Sequence, residues 1–157
     1  MKTIGRSLLV LTLGLVTSCV GSSVQHVARP DLSVELEDLG KCRIYYVRTG
    51  GLYGSRMIVH VYHGDKQIGS IRDGDFLCWE RRPGRTLVKV ELEKREIEQR
   101  VGGMKSTESF LDLLCEPGEV YYCGIDLQMA GARPKISLLS EKEGRELVSD
   151  QSPAPVD

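Results

Sequence analysis

Long apolar runs are scarce in this chain, and so are metal-binding motifs and any excess of charge of one sign. The longest apolar stretch, Leu8 to Val16, spans about 9 residues and as a helix would reach about 14 Å, at roughly 1.5 Å per residue. A bilayer's hydrocarbon core is about 30 Å thick, so the sequence predicts no helix that stays across a membrane. Lys and Arg number 21 against 22 Asp and Glu, a formal charge of −1, which offers no basic surface for nucleic acid or anionic lipid. No C-x-x-C pair occurs, which argues against a zinc ribbon. Ser, His and Asp are present without a nucleophile elbow or other positional signature, so no catalytic set is expected. The three histidines are His26, His60 and His63, and on one strand a spacing of three puts His60 and His63 on opposite faces. The expectation is therefore a non-enzymatic chain with no metal and no cofactor.

What is present begins at the amino terminus. Lys2 and Arg6 precede the apolar run, and the small residues Thr17 and Ser18 close it in front of Cys19, the layout of an export signal. The stretch Val16-Thr17-Ser18-Cys19 resembles the lipobox of bacterial lipoproteins. That resemblance implies cleavage before Cys19, a diacylglyceryl thioether on its sulfur and acylation of the freed amine. Each buried CH₂ contributes about 0.8 kcal/mol, so two or three chains anchor stably where one does not. Val20, rather than Asp, follows the cysteine, which by the family's sorting rule implies the outer membrane, facing the periplasm. The alternative is an ordinary secretory signal in which Cys19 is incidental. Of the 157 residues, removal of the first 18 takes Lys2 and Arg6 and leaves 139 with a charge of −3. Membrane contact is thus expected through lipid on Cys19, not through the protein surface.

The remaining length suits one domain with tails. Residues 19–40 read as a tether, small and polar at first, with a short helical turn from Pro30-Asp31-Leu32 toward Leu39. Residues 41–140 carry strand signals punctuated about every ten residues. The strands are expected at Cys42–Val47, Met57–Tyr62, Gln67–Ile71, from Phe76, at Leu87–Leu92, from Phe110, at Val120–Leu127 and at Lys135–Leu139. His63-Gly64-Asp65-Lys66 is a turn, and Asp73-Gly74 between apolar runs is a hairpin signal. Phe76-Leu77 stands seven residues before Pro83-Gly84, and Phe110-Leu111 stands seven before Pro117-Gly118, a near-repeat of strand, tight turn, strand at an offset of 34. Between the copies, Glu93–Arg100 is charged and Val101–Met104 reads as a hairpin tip, with a helix over Glu93–Arg100 as second choice. Residues 141–157 read as a polar tail, briefly helical over Glu141–Val148 and disordered from Ser149 to Asp157, where Pro153 and Pro155 lie. Seven or eight short strands without a long amphipathic helix predict an all-β chain, an antiparallel β-sandwich, with a small barrel as alternative.

Cys42, Cys78, Cys115 and Cys123 form an even set that in an oxidising compartment permits two disulfides in three connectivities, or else four small buried thiols. Both readings stay open. Arg81, Arg82 and Arg85 flank the first Pro-Gly and read as exposed turn charges, with a small anion or partner contact as the sharper alternative. Tyr45, Tyr46, Tyr62, Tyr121, Tyr122 and Trp79 read as sheet packing rather than a ligand platform.

The segments Lys41–Arg48 (KCRIYYVR), Val61–Ile71 (VYHGDKQIGSI), Gly74–Phe76 (GDF), Arg82–Gly84 (RPG) and Pro117–Tyr122 (PGEVYY) resemble a domain family of bacterial lipoproteins of unknown function. The resemblance spans about residues 41–127. It implies a small prealbumin-like or Ig-like sandwich and brings no catalytic residues. This chain departs from the family pattern at Arg82, at the His63–Lys66 turn and in its four cysteines. The functional expectation is a lipid-anchored envelope protein whose sandwich docks onto another envelope protein. A binder of a small ligand or peptidoglycan fragment is the alternative.

Overall fold

Strand β1, Cys42–Arg48, is buried at all seven positions, because a second sheet covers one of its faces and a carboxyl-terminal helix the other. Its even-numbered side chains, Cys42, Ile44 and Tyr46, enter the main core, while Tyr45 and Val47 enter a second cluster on the opposite face. The computed structural model describes residues 36, 38–49, 57–93, 107–128 and 133–155. The expected loop after β1 from Gly50 on, the charged stretch after Glu93 with its hairpin tip, and most of the Pro30–Leu39 turn lie outside the described residues, as do His26 and the whole leader with Cys19.

The other strands are β2 (Val59–His63), β3 (Lys66–Ile71), β4 (Asp75–Arg81), β5 (Gly84–Leu92), β6 (Glu108–Cys115), β7 (Val120–Gln128), β8 (Arg133–Leu138) and β9 (Ser152–Pro153), with one helix, α1 (Glu141–Asp150), among the described residues. They form two sheets, β8-β7-β1-β4-β9 and β3-β2-β5-β6, packed as an all-β sandwich. Along β5 the alternation read from sequence holds: Val88, Val90 and Leu92 are buried while Lys89 and Glu91 face outward.

Two features depart from a purely antiparallel sandwich. β1 pairs with β7 in parallel, and β4 pairs with β9 in parallel. The Asp73-Gly74 turn also joins no hairpin. β3 belongs to one sheet and β4 to the other, since β4 pairs with β1 over six registered positions and this long-range pairing outweighs the local turn preference. Both Pro-Gly turns likewise carry the chain between sheets, β4 to β5 and β6 to β7. At the second, Glu119 N–H donates to the Glu116 carbonyl at 3.3 Å and Gly118 has φ of 78°, a conformation that Pro117-Gly118 supplies without strain. A disulfide joins Cys42 of β1 to Cys115 of β6 across the two sheets, with Cα atoms 6.1 Å apart.

The disordered tail expected from Ser149 onward is corrected by the structure. Ser140 caps α1 in a capping box with Glu143. Gly144, Leu147 and Val148 then form one apolar face on the second cluster, against Tyr45, Phe76 and Tyr122. Beyond the helix, Ser152 N–H donates to the Gly74 carbonyl at 2.9 Å and Ala154 N–H to the Phe76 carbonyl at 2.7 Å. The alternating prolines fit this edge because a strand paired on one side needs only every second N–H, and Pro153 and Pro155 occupy the positions that need none. The ordered unit therefore runs past the expected boundary at 140. At its other end it takes in Leu36, which is 6% exposed.

Candidate functional site

At the end of β2 the side-chain period turns His63 into the sandwich and leaves His60 outside, so the two do lie on opposite faces. His63 Nε2 lies 2.6 Å from the Tyr46 hydroxyl of β1, and its Nδ1 lies 2.8 Å from Thr86 Oγ1 of β5. Its ring centroid is 3.5 Å from that of Trp79 on β4, at 67°. Burial, with the Arg81 guanidinium as a second cause, pushes the imidazole down to about 3, so the ring is neutral. A neutral ring has one donor and one acceptor nitrogen, and both are engaged. Tyr46 is held well above the usual phenol range by its burial.

The corner next to His63 is made by Trp79 and Arg81, which share the inward face of β4. The Arg81 guanidinium carbon lies 5.8 Å from the Trp79 ring centroid, and Arg81 Nε–H donates to the Arg82 carbonyl at 3.0 Å. Trp79 Nε1 and Arg81 Nη1 are both buried with no hydrogen-bond partner. The three arginines of the first Pro-Gly turn are thus separated. Arg82 is exposed, and Arg85 is exposed and held by Asp112 (Nε to the carboxylate oxygens, 2.9 and 3.0 Å). Arg81 is half-buried, which corrects the reading of all three as exposed turn charges.

On the outer face of the β3-β2-β5-β6 sheet, His60 Nδ1 lies 2.8 Å from Ser70 Oγ, and the Gln67 amide donates to both at 3.2 and 3.1 Å. Serine and imidazole meet here, and the third member is a neutral amide, not a carboxylate. Further along the same face, Leu87, Phe110 and Leu114 are 51%, 53% and 60% exposed. In the β5–β6 register Leu87 stands opposite Asp112, so Phe110 and Leu114 are its diagonal neighbours, within reach on the same face. The charges around them neutralise each other: Arg85 pairs with Asp112, and Lys89 pairs with Glu91 at 3.2 Å and Glu108 at 3.6 Å.

Of the cysteines, Cys42 and Cys115 are bridged, while Cys78 and Cys123 are buried thiols that burial pushes up to about 12. Tyr45 stacks on Tyr122 at 5.2 Å beneath α1, and Tyr121 accepts from Glu116 N–H at 2.9 Å. Tyr62 lies under the Lys89 ammonium at 4.1 Å. Sequence reasoning placed the aromatics in the sheets but missed the Tyr46–His63–Thr86 bridge. Its only local trace is a polar residue at an inward position, His63, after the inward Val59 and Val61. No group of three or more candidate metal ligands occurs among the described residues, and no helix among them is long and apolar enough to cross a membrane. No family model, curated protein or solved structure matches this chain.

Proposed function

We propose that this chain is a lipid-anchored, periplasm-facing envelope lipoprotein of the outer membrane whose β-sandwich is a non-catalytic module that docks onto another envelope protein. The Val16–Cys19 lipobox supports the anchor. The observation that carries docking is the group Leu87, Phe110 and Leu114, three large apolar side chains more than half exposed on one sheet face. Apolar side chains gathered beside charges that already satisfy one another suit a partner recognised by apolar burial rather than by net charge.

Two measurements test this reading. Cys19→Ser is expected to abolish metabolic lipid labelling, and labelling that persists sinks the anchor. A photo-crosslinking residue at Phe110 in intact cells is expected to give one discrete adduct that the same residue at Lys142, on the helix side, does not. Leu114→Asp in the same chain should remove that adduct; an adduct indifferent to Leu114→Asp counts against this face.

A further inference from the structure

We propose that the outer edge of β6 takes up an extended strand of a partner protein, one that alternates apolar and basic side chains. This rests on the docking reading above and gives its mode and the partner's chemistry. The hydrogen-bond phase of the sheet fixes which groups are open. Leu92 N–H donates to the Thr107 carbonyl at 3.0 Å, and the β5–β6 register runs unbroken from Glu91↔Glu108 to Gly84↔Cys115. Opposed pairs in an antiparallel ladder are hydrogen-bonded alternately. Ser109, Leu111, Leu113 and Cys115 therefore bond toward β5, while the backbone groups of Glu108, Phe110, Asp112 and Leu114 point away from it. Among the described residues no hydrogen bond reaches the backbone of those four. β8 packs beneath β5 as well as β6, so it lies under this edge and not alongside it.

Open sheet edges are ordinarily blunted by proline, lysine or a bulge. The two sheets end at β8, β9, β3 and β6. On β8, Leu139 N–H donates inward to the Tyr122 carbonyl, so the even positions face out and Pro134 is one of them. β9 turns Pro153 and Pro155 outward, and β3 starts at Lys66 and breaks register against β2. β6 carries none of these devices over its eight residues. Its outward positions alternate acid and apolar: Glu108, Phe110, Asp112, Leu114. A second copy of the chain does not fit them. Two-fold pairing of the outward groups sets Asp112 against Asp112, Glu108 against Asp112, or Phe110 against Asp112, and each of these cross-strand pairs is unfavourable. A strand with apolar residues opposite Phe110 and Leu114, and Lys or Arg opposite Glu108 and Asp112, suits all four. The Asp112 side chain is 49% exposed and holds Arg85 on its β5 side, and a carboxylate has lone pairs for a second cation. Strand addition of this kind takes affinity from the main chain and specificity from alternate side chains.

The probe is the acetylated, amidated peptide VTKTVTK, which in antiparallel register sets Val opposite Leu114 and Phe110 and Lys opposite Asp112 and Glu108. The readout is amide hydrogen exchange of the ¹⁵N-labelled mature protein in detergent micelles. In the free protein Phe110, Asp112 and Leu114 are expected to exchange fast and Ser109, Leu111 and Leu113 slowly. Saturating peptide should slow the first three about tenfold or more. N-methylation of the Lys opposite Asp112 should weaken binding about tenfold, as should VTETVTE. Slow exchange at the three even positions in the free protein overturns the proposal. So does exchange unmoved by VTKTVTK, or moved equally by VTETVTE. In intact cells Asp112→Pro removes one outward N–H and spares the β5 ladder, so it should abolish the Phe110 photo-adduct that Asp112→Ala keeps. An adduct that survives Asp112→Pro overturns strand addition and leaves the docking face standing. A peptide that binds this edge while the unaltered chain gives no adduct supports the edge and sinks the docking reading. Should Asp112→Pro fail to fold, the peptide series on the unaltered chain still decides.

Discussion

His63 shows how one residue can be expensive and still belong. A histidine at an inward strand position brings a titratable ring into the sandwich, and its two neutral hydrogen bonds to Tyr46 and Thr86 make that tolerable. Folding holds it neutral down to about 3, whereas the unfolded chain takes up a proton near the ordinary value of 6.5. The unfolded state therefore binds more protons between those two values. This contribution to stability is complete above pH 6.5 and is lost as pH falls toward 3. Urea unfolding at several pH values should show stability rising with pH across this window, by at most about 1.4 kcal/mol per pH unit from this group. His63→Gln should flatten that slope, and an unchanged slope would place the titration elsewhere. Its one local trace, a polar residue at an inward strand position, could not name the partners, because they lie 17 and 23 residues away on strands whose pairing is set by the whole sheet. The opposite facing of His60 and His63, by contrast, follows from the two-residue period alone.

Among the elements, the carboxyl-terminal helix carries the weakest sequence signal. Its charged sequence and small apolar content read as a weak, short helix followed by a loose end. What makes it structural is a face three residues wide, Gly144, Leu147 and Val148, that roofs Tyr45 and Tyr122. Gly144 is the close-contact point, since a Cβ there would fall onto Cβ and Cγ of Tyr122. Alanine in place of a mid-helix glycine ordinarily gains about 1 kcal/mol, while crowding a packed core loses about 1–3 kcal/mol and sometimes more. With backbone held this close to a ring, crowding should win, and Gly144→Ala is expected to destabilise the fold by about 2 kcal/mol. Thermal unfolding checks it: a raised melting temperature would mean that the helix rides higher than described. Eight of the nine strands were legible to within about three residues, because alternation and β-rich runs report local burial, while β9 was not, since a two-residue strand carries neither signal. The roles of the tight turns were not. Asp73-Gly74, Pro83-Gly84 and Pro117-Gly118 were recognisable as turns, but whether a turn closes a hairpin or crosses between sheets depends on which distant strand offers the next ladder.

For the whole molecule, the disulfide adds a covalent tie to the apolar core between the two sheets. Cys42 and Cys115 are 73 residues apart in sequence and pin β1 of one sheet to β6 of the other. Closing so long a loop is worth about 2–5 kcal/mol in the usual range for native bridges. Unfolded without reductant, the mature protein is expected to titrate two thiols from the four domain cysteines, Cys78 and Cys123, and none while folded, since both are buried. Four thiols would remove the bridge from the account. Sequence could count these cysteines but not pair them, because pairing requires knowing which strands face each other across the core. The sandwich architecture itself was readable from strand spacing, whereas its two parallel pairings were not.

The parallel seam between β1 and β7 sets a schedule for the polypeptide. The innermost ribbon of its sheet leaves the ribosome early, yet one of its two neighbours is made more than seventy residues later, at Val120 to Gln128. Until then one flank of β1 has no ladder to join, so a nascent fragment ending before β7 has no completed sheet to settle into. Completion of that sheet is therefore deferred until nearly all of the domain has been synthesised.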